Sequence, residues 1–188
     1  QDGPWPEAAY HLRLREQGSL AAQLEAVDGL HSGLTARWEA DPDPALRAMA
    51  SQYVRTSHEQ LRASLLHSLA ALGLNQPWVR EILVRELQSA QAMPSVLQEG
   101  LRGLLEGMSP PVIYGMSWEV LHAVARLLGH SDQELVRLAL KSMRYAIVRQ
   151  LVPTTARGDL SNDNEIVAHL RRLARASDAA MQLDASEL

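Results

Sequence analysis

The feature that most constrains this chain is a helical hydrophobic periodicity that restarts after every turn. From residue 44 onward, segments of 12 to 20 residues lie between short clusters of Gly, Pro, Asp, Asn and Ser, which favour turns. Within each segment apolar residues recur at i, i+3, i+4 and i+7, as in Leu61, Leu65 and Leu69. This spacing places them on one face of an amphipathic helix. The sequence therefore predicts an all-α protein.

Composition agrees with that prediction. Hydrophobic residues make up 46% of the 188 positions, but aromatic residues only 4%, and Phe is absent. Leu, Ala and Met favour helices, whereas the β-branched and aromatic residues typical of strands are scarce. A chain of this length fits one domain, residues 1–188. We divide it into an irregular N-terminal part (1–40), a helical core (41–151) and a C-terminal helix (162–183).

The connections between the predicted helices are short, so neighbouring helices should pack antiparallel. Two architectures satisfy this condition: helix pairs stacked as a short α-α superhelix, or a compact helical bundle. Ser57 and Ser117 stand just before apolar segments, where a hydroxyl accepts a hydrogen bond from a free backbone N–H. Both are predicted to cap helices.

Three predicted helix starts are alike. Each has an acidic or Asn-containing turn, then an aliphatic residue followed by Arg, then further apolar residues; they are 41–50, 75–83 and 131–139. This pattern resembles the second helix of HEAT-like (armadillo-type) repeats, loosely and over about residues 41–151. The resemblance implies a stack of helix pairs that binds partners on its surface.

In such repeats an arginine of the second helix reaches back to the turn between the two helices. The resemblance therefore implies structural roles for Arg47, Arg80 and Arg137. Arg80 follows Arg47 by 33 positions, and Arg137 follows Arg80 by 57. HEAT repeats recur every ~40 residues, so the middle unit would have to be degenerate.

Charge disfavours a nucleic-acid partner. The 22 acidic residues outnumber the 18 basic ones, giving a net charge of −4, and Lys141 is the only lysine. Nucleic-acid-binding proteins usually show a basic surplus or stripe. Nearly exclusive use of Arg is typical of a GC-rich, bacterial genome.

Several chemistries lack their residues. The absence of Cys excludes thiol catalysis, disulfides and Cys-ligated metal. No two of the seven His residues have the i, i+4 spacing of a zinc site on one helix, and His58 and His67 fall on different helix faces. A distant metal site built from His122 and His130 remains open. We therefore assign no catalytic, cofactor-binding or metal-ligating residue and predict no cofactor.

Two surfaces are candidate partner sites. The loop after Pro110 and Pro111 carries Ile113, Tyr114 and Trp118, which either anchor a partner or plug the end of the core. The last helix carries a small basic patch, which either binds an anionic partner or is a solvated face; its residues are Arg171, Arg172 and Arg175.

The preferred function is a non-enzymatic protein–protein interaction module, a scaffold, adaptor or chaperone-like protein that binds a protein or peptide on a helical surface. The first alternative is a helical enzyme or small-ligand-binding domain, with His122, His130 or Glu119 converging in a pocket. The second is a HEAT-like DNA-binding protein. No apolar run reaches the ~18 residues of a membrane span, and the oligomeric state stays open. The lack of Cys and the start at Gln1 slightly favour an exported or periplasmic location over the cytoplasm.

Overall fold

The all-α prediction is confirmed. A computed structural model describes residues 18–37 and 41–175, and all regular secondary structure in these ranges is helical. The helices are α1 (Leu20–Ala36), α2 (Asp43–Arg55), α3 (Glu59–Gly73), α4 (Pro77–Leu87), α5 (Pro94–Gly107), α6 (Trp118–Arg126), α7 (Gln133–Val148), α8 (Ala156–Ser161) and α9 (Asn164–Leu173). A 3₁₀ turn, Leu127–Gly129, continues α6.

Two of the predicted boundaries need correction. The N-terminal part expected to be irregular contains one continuous helix, α1, which runs through Gly29 and Gly33 because Ala26, Val27 and Leu30 bury its inner face. The C-terminal helix begins at Asn164, where Asp163 caps it by accepting from two backbone N–H groups. That helix ends at Leu173. Residues 1–17, 38–40 and 176–188 lie outside the described residues.

The helices form two layers. The odd-numbered helices α1, α3, α5 and α7 pack side by side in that order. The even-numbered helices lie against them: α2 and α4 contact α3, and α6 contacts α4 and α7. This alternation is consistent with both predicted architectures, stacked helix pairs and a helical bundle. The resemblance to HEAT-like repeats stays a prediction.

Helix α3 is the centre of the stack. It is buried along nearly its whole length, with Leu61, Leu65 and Leu66 fully inaccessible, because α1, α2, α4 and α5 all pack against it. A helix that is apolar on every side is expected only in such a buried position. The face toward α1 and α5 nevertheless carries polar side chains, among them Ser68, which is 3% exposed.

Helix α5 approaches α3 so closely that their backbones nearly touch. Glycines at 100, 103 and 107 line the contact. A Cβ at Gly103 would overlap the carbonyl oxygen of His67, and one at Gly107 would lie 2.9 Å from the carbonyl oxygen of Ala70. Protein interiors are close-packed and do not absorb an added methyl there without shifting. These glycines therefore fix the register between the two helices.

One of the two predicted helix caps is present in the structure. Ser117 caps α6 by accepting from the Val120 N–H, as predicted. Ser57 is not the cap of α3: the helix begins at Glu59, and Thr56 Oγ1 accepts from the His58 N–H instead.

The three arginines highlighted by the repeat pattern have different partners. Arg80 donates to the carbonyl oxygen of Leu74, in the turn between α3 and α4, at 2.8 Å. Arg47 pairs with Asp43 and Arg137 with Glu134, each on its own helix. Arg80 thus makes the kind of contact that the resemblance implies.

No described helix is both long and apolar enough to cross a lipid bilayer.

Candidate functional site

Three consecutive helices of one layer bring two imidazoles and a carboxylate together. His31 lies on α1, His67 on α3 and Glu106 near the end of α5. Nε2 of His31 is 2.7 Å from Oε1 of Glu106, and Nε2 of His67 is 2.7 Å from Oε2. The two imidazole ring centroids are 5.6 Å apart, and their planes are tilted by 58°. Glu106 therefore bridges the two rings with its two oxygens.

The other nitrogen of each ring also has a partner. Ser68 Oγ lies 2.9 Å from Nδ1 of His31. Glu99 Oε2 lies 2.9 Å from Nδ1 of His67, and Arg102 donates to the other oxygen of Glu99 at 2.6 Å. These contacts fix both ring orientations, so the Nε2 atoms are aimed at one point between the helices.

Burial decreases across the cluster. The His31 and His67 side chains are 18% and 25% exposed, and that of Glu106 is 42% exposed. Burial alone would raise the pKa of Glu106. The hydrogen bonds from His67 and His31 outweigh burial, so the pKa of Glu106 lies below its ordinary value. The carboxylate is thus held ionised beside two nitrogen donors.

A cavity lined by both polar and apolar residues opens beside the two imidazoles. Its volume is about 500 Å³, and α1, α3 and α5 form its walls. Besides both histidines and Glu99, the lining includes Asp28, Gln60 and Ser64. A small ligand can therefore reach this side of the cluster from solution.

The cluster has the donor set of a transition-metal site. His31, His67 and Glu106 each offer one donor atom, and these three atoms lie within 4.8 Å of one another. Two imidazoles and one carboxylate are a ligand set found for Zn²⁺ and non-haem Fe²⁺. In such sites each histidine donates its second ring N–H to a carboxylate, carbonyl or other oxygen, and Glu99 and Ser68 stand in those positions.

The residues singled out in the loop after α5 differ in accessibility. The Tyr114 hydroxyl donates to the carbonyl oxygen of Leu72 at 3.1 Å, and burial raises its pKa. Trp118 begins α6 half-buried, its ring 5.6 Å from that of His122. Ile113 is 52% exposed and has a φ of 51°, a conformation that β-branched residues rarely adopt.

The predicted basic patch lies at the end of α9. Arg171, Arg172 and Arg175 are exposed, and Arg172 donates to the carbonyl oxygen of Leu128 at 3.1 Å. Cations in the last turn of a helix interact favourably with its carbonyl end, so this patch also stabilises the docking of α9. Its role toward an anionic partner stays a prediction.

The other candidate histidines do not converge. His122 faces Asp163 at 3.4 Å, whereas Nδ1 of His130 accepts from the backbone N–H of Asp132. Within residues 18–37 and 41–175, the only group with metal-ligand spacing is the one formed by His31, His67 and Glu106.

Sequence reasoning missed this cluster because it looked for ligands on one helix. The feature of the sequence that relates these residues is their separation along the chain, which is close to the length of one helical repeat. His31 and Ser68 are 37 positions apart, and His67 and Glu106 are 39 apart. Those separations approach the ~40-residue period of paired-helix repeats. If the chain follows the predicted repeat, polar residues separated by one such period occupy equivalent places on neighbouring helices of one layer.

Comparison with known proteins leaves the chain without a family. It matches no protein-family model. No curated protein and no solved structure matches it significantly. The geometry of the cluster is therefore the basis on which a function is assigned.

Proposed function

We propose that this chain is a metal-binding helical module that holds one divalent transition-metal ion between α1, α3 and α5. His31 and His67 bind the ion through Nε2 and Glu106 through a carboxylate oxygen. The observation that carries this proposal is the position of His67, whose two ring nitrogens both face carboxylates, Glu99 at 2.9 Å and Glu106 at 2.7 Å.

An imidazolium can donate to both of those carboxylates, whereas a neutral imidazole has one N–H and can donate to only one of them. A metal ion bound at Nε2 of His67 removes the competition of the two carboxylates for one N–H. Nδ1–H of His67 then donates to Glu99, and the Glu106 carboxylate binds the cation rather than competing for a proton. Ser68 accepts from Nδ1–H of His31 in the same way. The surrounding residues thus support the ligands in the manner typical of occupied sites.

The donor set favours zinc and its neighbours over calcium or magnesium. Imidazole suits Zn²⁺, Ni²⁺, Cu²⁺ and Fe²⁺, whereas Ca²⁺ and Mg²⁺ prefer all-oxygen shells. Because the three ligands come from three helices, the ion can bind fully only when the layer is assembled. Its binding free energy therefore adds to the stability of the stack.

The test is zinc titration of the apoprotein. We expect one Zn²⁺ per chain and a rise in the melting temperature of about 5–10 °C at a free zinc concentration of about 100 times Kd. His31→Ala, His67→Ala and Glu106→Gln should each abolish this rise. Glu99→Gln should weaken zinc binding about 10–100-fold, because it removes a supporting partner and no ligand. Calorimetry and melting curves measure both effects.

The matched control is His58→Ala, which removes an exposed imidazole outside the cluster. It should bind zinc as the wild type does. Equal loss of binding in this control and the cluster variants, or no stoichiometric binding by the wild type, would refute the proposal.

A protein–protein interaction module is the second candidate function. Its support is the exposed apolar pair Ile113 and Val148, 52% and 63% accessible. Their segments run side by side, since the Met116 N–H donates to the Leu151 carbonyl oxygen at 2.6 Å. A non-glycine residue held in a left-handed conformation often marks a functional position.

The double substitution Ile113→Ser/Val148→Ser tests this second candidate. We expect it to lose, in affinity capture, a specific polypeptide retained by the wild type, with the helical circular-dichroism signal unchanged. Val54→Ser is the control, since Val54 is 77% exposed elsewhere on the surface. Capture that is equal in all three proteins would contradict this role for the pair.

A further inference from the structure

Resting on the proposed function, we propose that the bound metal keeps one coordination position open and binds there a small oxygen-donor anion, such as a hydroxamate or carboxylate. The described residues supply three ligand atoms, one each from His31, His67 and Glu106. Zn²⁺ and its neighbours take at least four ligands, and centres with three protein ligands leave the next position to water or substrate.

The two donors that contact the Nδ1 atoms are turned away from the metal position. Glu99 and Ser68 contact the Nδ1 atoms of His67 and His31, whereas the metal ligands are the Nε2 atoms. The lone pairs of these two ring nitrogens point away from each other, so a group bound at Nδ1 cannot also reach an ion at Nε2. Arg102 further restrains Glu99. Both residues therefore orient the rings and leave the coordination shell incomplete.

Charge and access favour an anion at the open position. A divalent ion bound by the Glu106 carboxylate retains one positive charge, and it is the largest local charge of the site. The nearby charge of Glu99 is compensated by Arg102, 2.6 Å away, whereas the Asp28 carboxylate, which lines the cavity beside the imidazoles, opposes an anion on that side. Glu106 is the most exposed of the three ligands, at 42%. An incoming anion can thus reach the ion from the solvent side of α5.

Cobalt substitution tests this inference, because the visible absorption of Co²⁺ reports its ligand number and geometry. The protein is loaded with one equivalent of Co²⁺ and titrated with acetohydroxamate. We expect a saturable change in the cobalt spectrum and, after gel filtration in hydroxamate-containing buffer, equal amounts of cobalt and hydroxamate eluting with the protein. The His58→Ala variant should behave in the same way.

The outcomes separate this inference from the function on which it rests. If Co²⁺ binds at His31, His67 and Glu106 but its spectrum does not respond to hydroxamate, the shell is closed, and only the open position is refuted. Cobalt that is stripped from the protein by hydroxamate also refutes the ternary complex. If neither Co²⁺ nor Zn²⁺ binds, both the function and the inference fail.

Discussion

Replacing Gly103 with alanine is expected to destabilise the protein by about 3 kcal/mol or more, at or beyond the upper end of overpacking costs. The added methyl would overlap the carbonyl oxygen of His67, which belongs to the backbone of the central helix and cannot rotate aside. Helices α3 and α5 would have to separate. Chemical denaturation monitored by circular dichroism measures the change, and zinc binding should weaken in parallel because Glu106 moves with α5.

The control is Gly33→Ala on α1. A Cβ at Gly33 meets nothing within 4 Å, and alanine favours a helix over glycine by about 0.5–1 kcal/mol. This variant should be slightly more stable than the wild type. A Gly103→Ala protein as stable as Gly33→Ala would contradict the close helix contact described above.

Removal of the Arg62 guanidinium should cause the second large loss of stability. Arg62 donates to the carbonyl oxygens of Tyr53 and Thr56 and to Glu86, at 3.1, 3.4 and 3.0 Å. It also lies 4.2 Å from the centre of the Tyr53 ring. Glu86 is only 13% exposed, so Arg62→Met leaves a largely buried carboxylate unpaired. We expect a loss of about 3 kcal/mol in the free energy of unfolding.

Two further variants identify the cause. Arg62→Met/Glu86→Gln should recover part of the loss, because no unpaired charge remains. Arg47→Met removes an arginine whose side chain is 65% exposed in its pair with Asp43, and it should cost less than about 1 kcal/mol. If Arg62→Met costs no more than Arg47→Met, the inter-helix arginine contributes little to the stack.

The helices could be predicted from sequence because their signals are local. The Leu61, Leu65 and Leu69 stripe indicates a helix whatever surrounds it, and α3 follows it from Glu59 to Gly73. The local cap signal failed at the start of this helix. Ser57 precedes an apolar segment, but the N-cap position is His58, and no side chain caps the helix there.

The candidate site was not predicted because its geometry depends on packing between helices. His31, His67 and Glu106 carry no shared motif, and a His or Glu on a helix does not by itself indicate a site. Their meeting depends on the order of helices within the layer and on the glycine-lined contact of α5 with α3. In contrast, the prolines and apolar residues around Ile113 stand out without any tertiary information, and the role of Ile113 toward a partner stays a prediction.

The layered arrangement also makes the site sensitive to curvature. In a stack of helix pairs, bending changes the spacing between neighbouring helices of one layer more than it changes distances within a helix. The cluster spans three such neighbours, so bending of the stack would move its donor atoms apart or together. By linkage, an ion that fits one curvature stabilises that curvature, and a force that bends the stack alters the affinity for the ion by the same free energy.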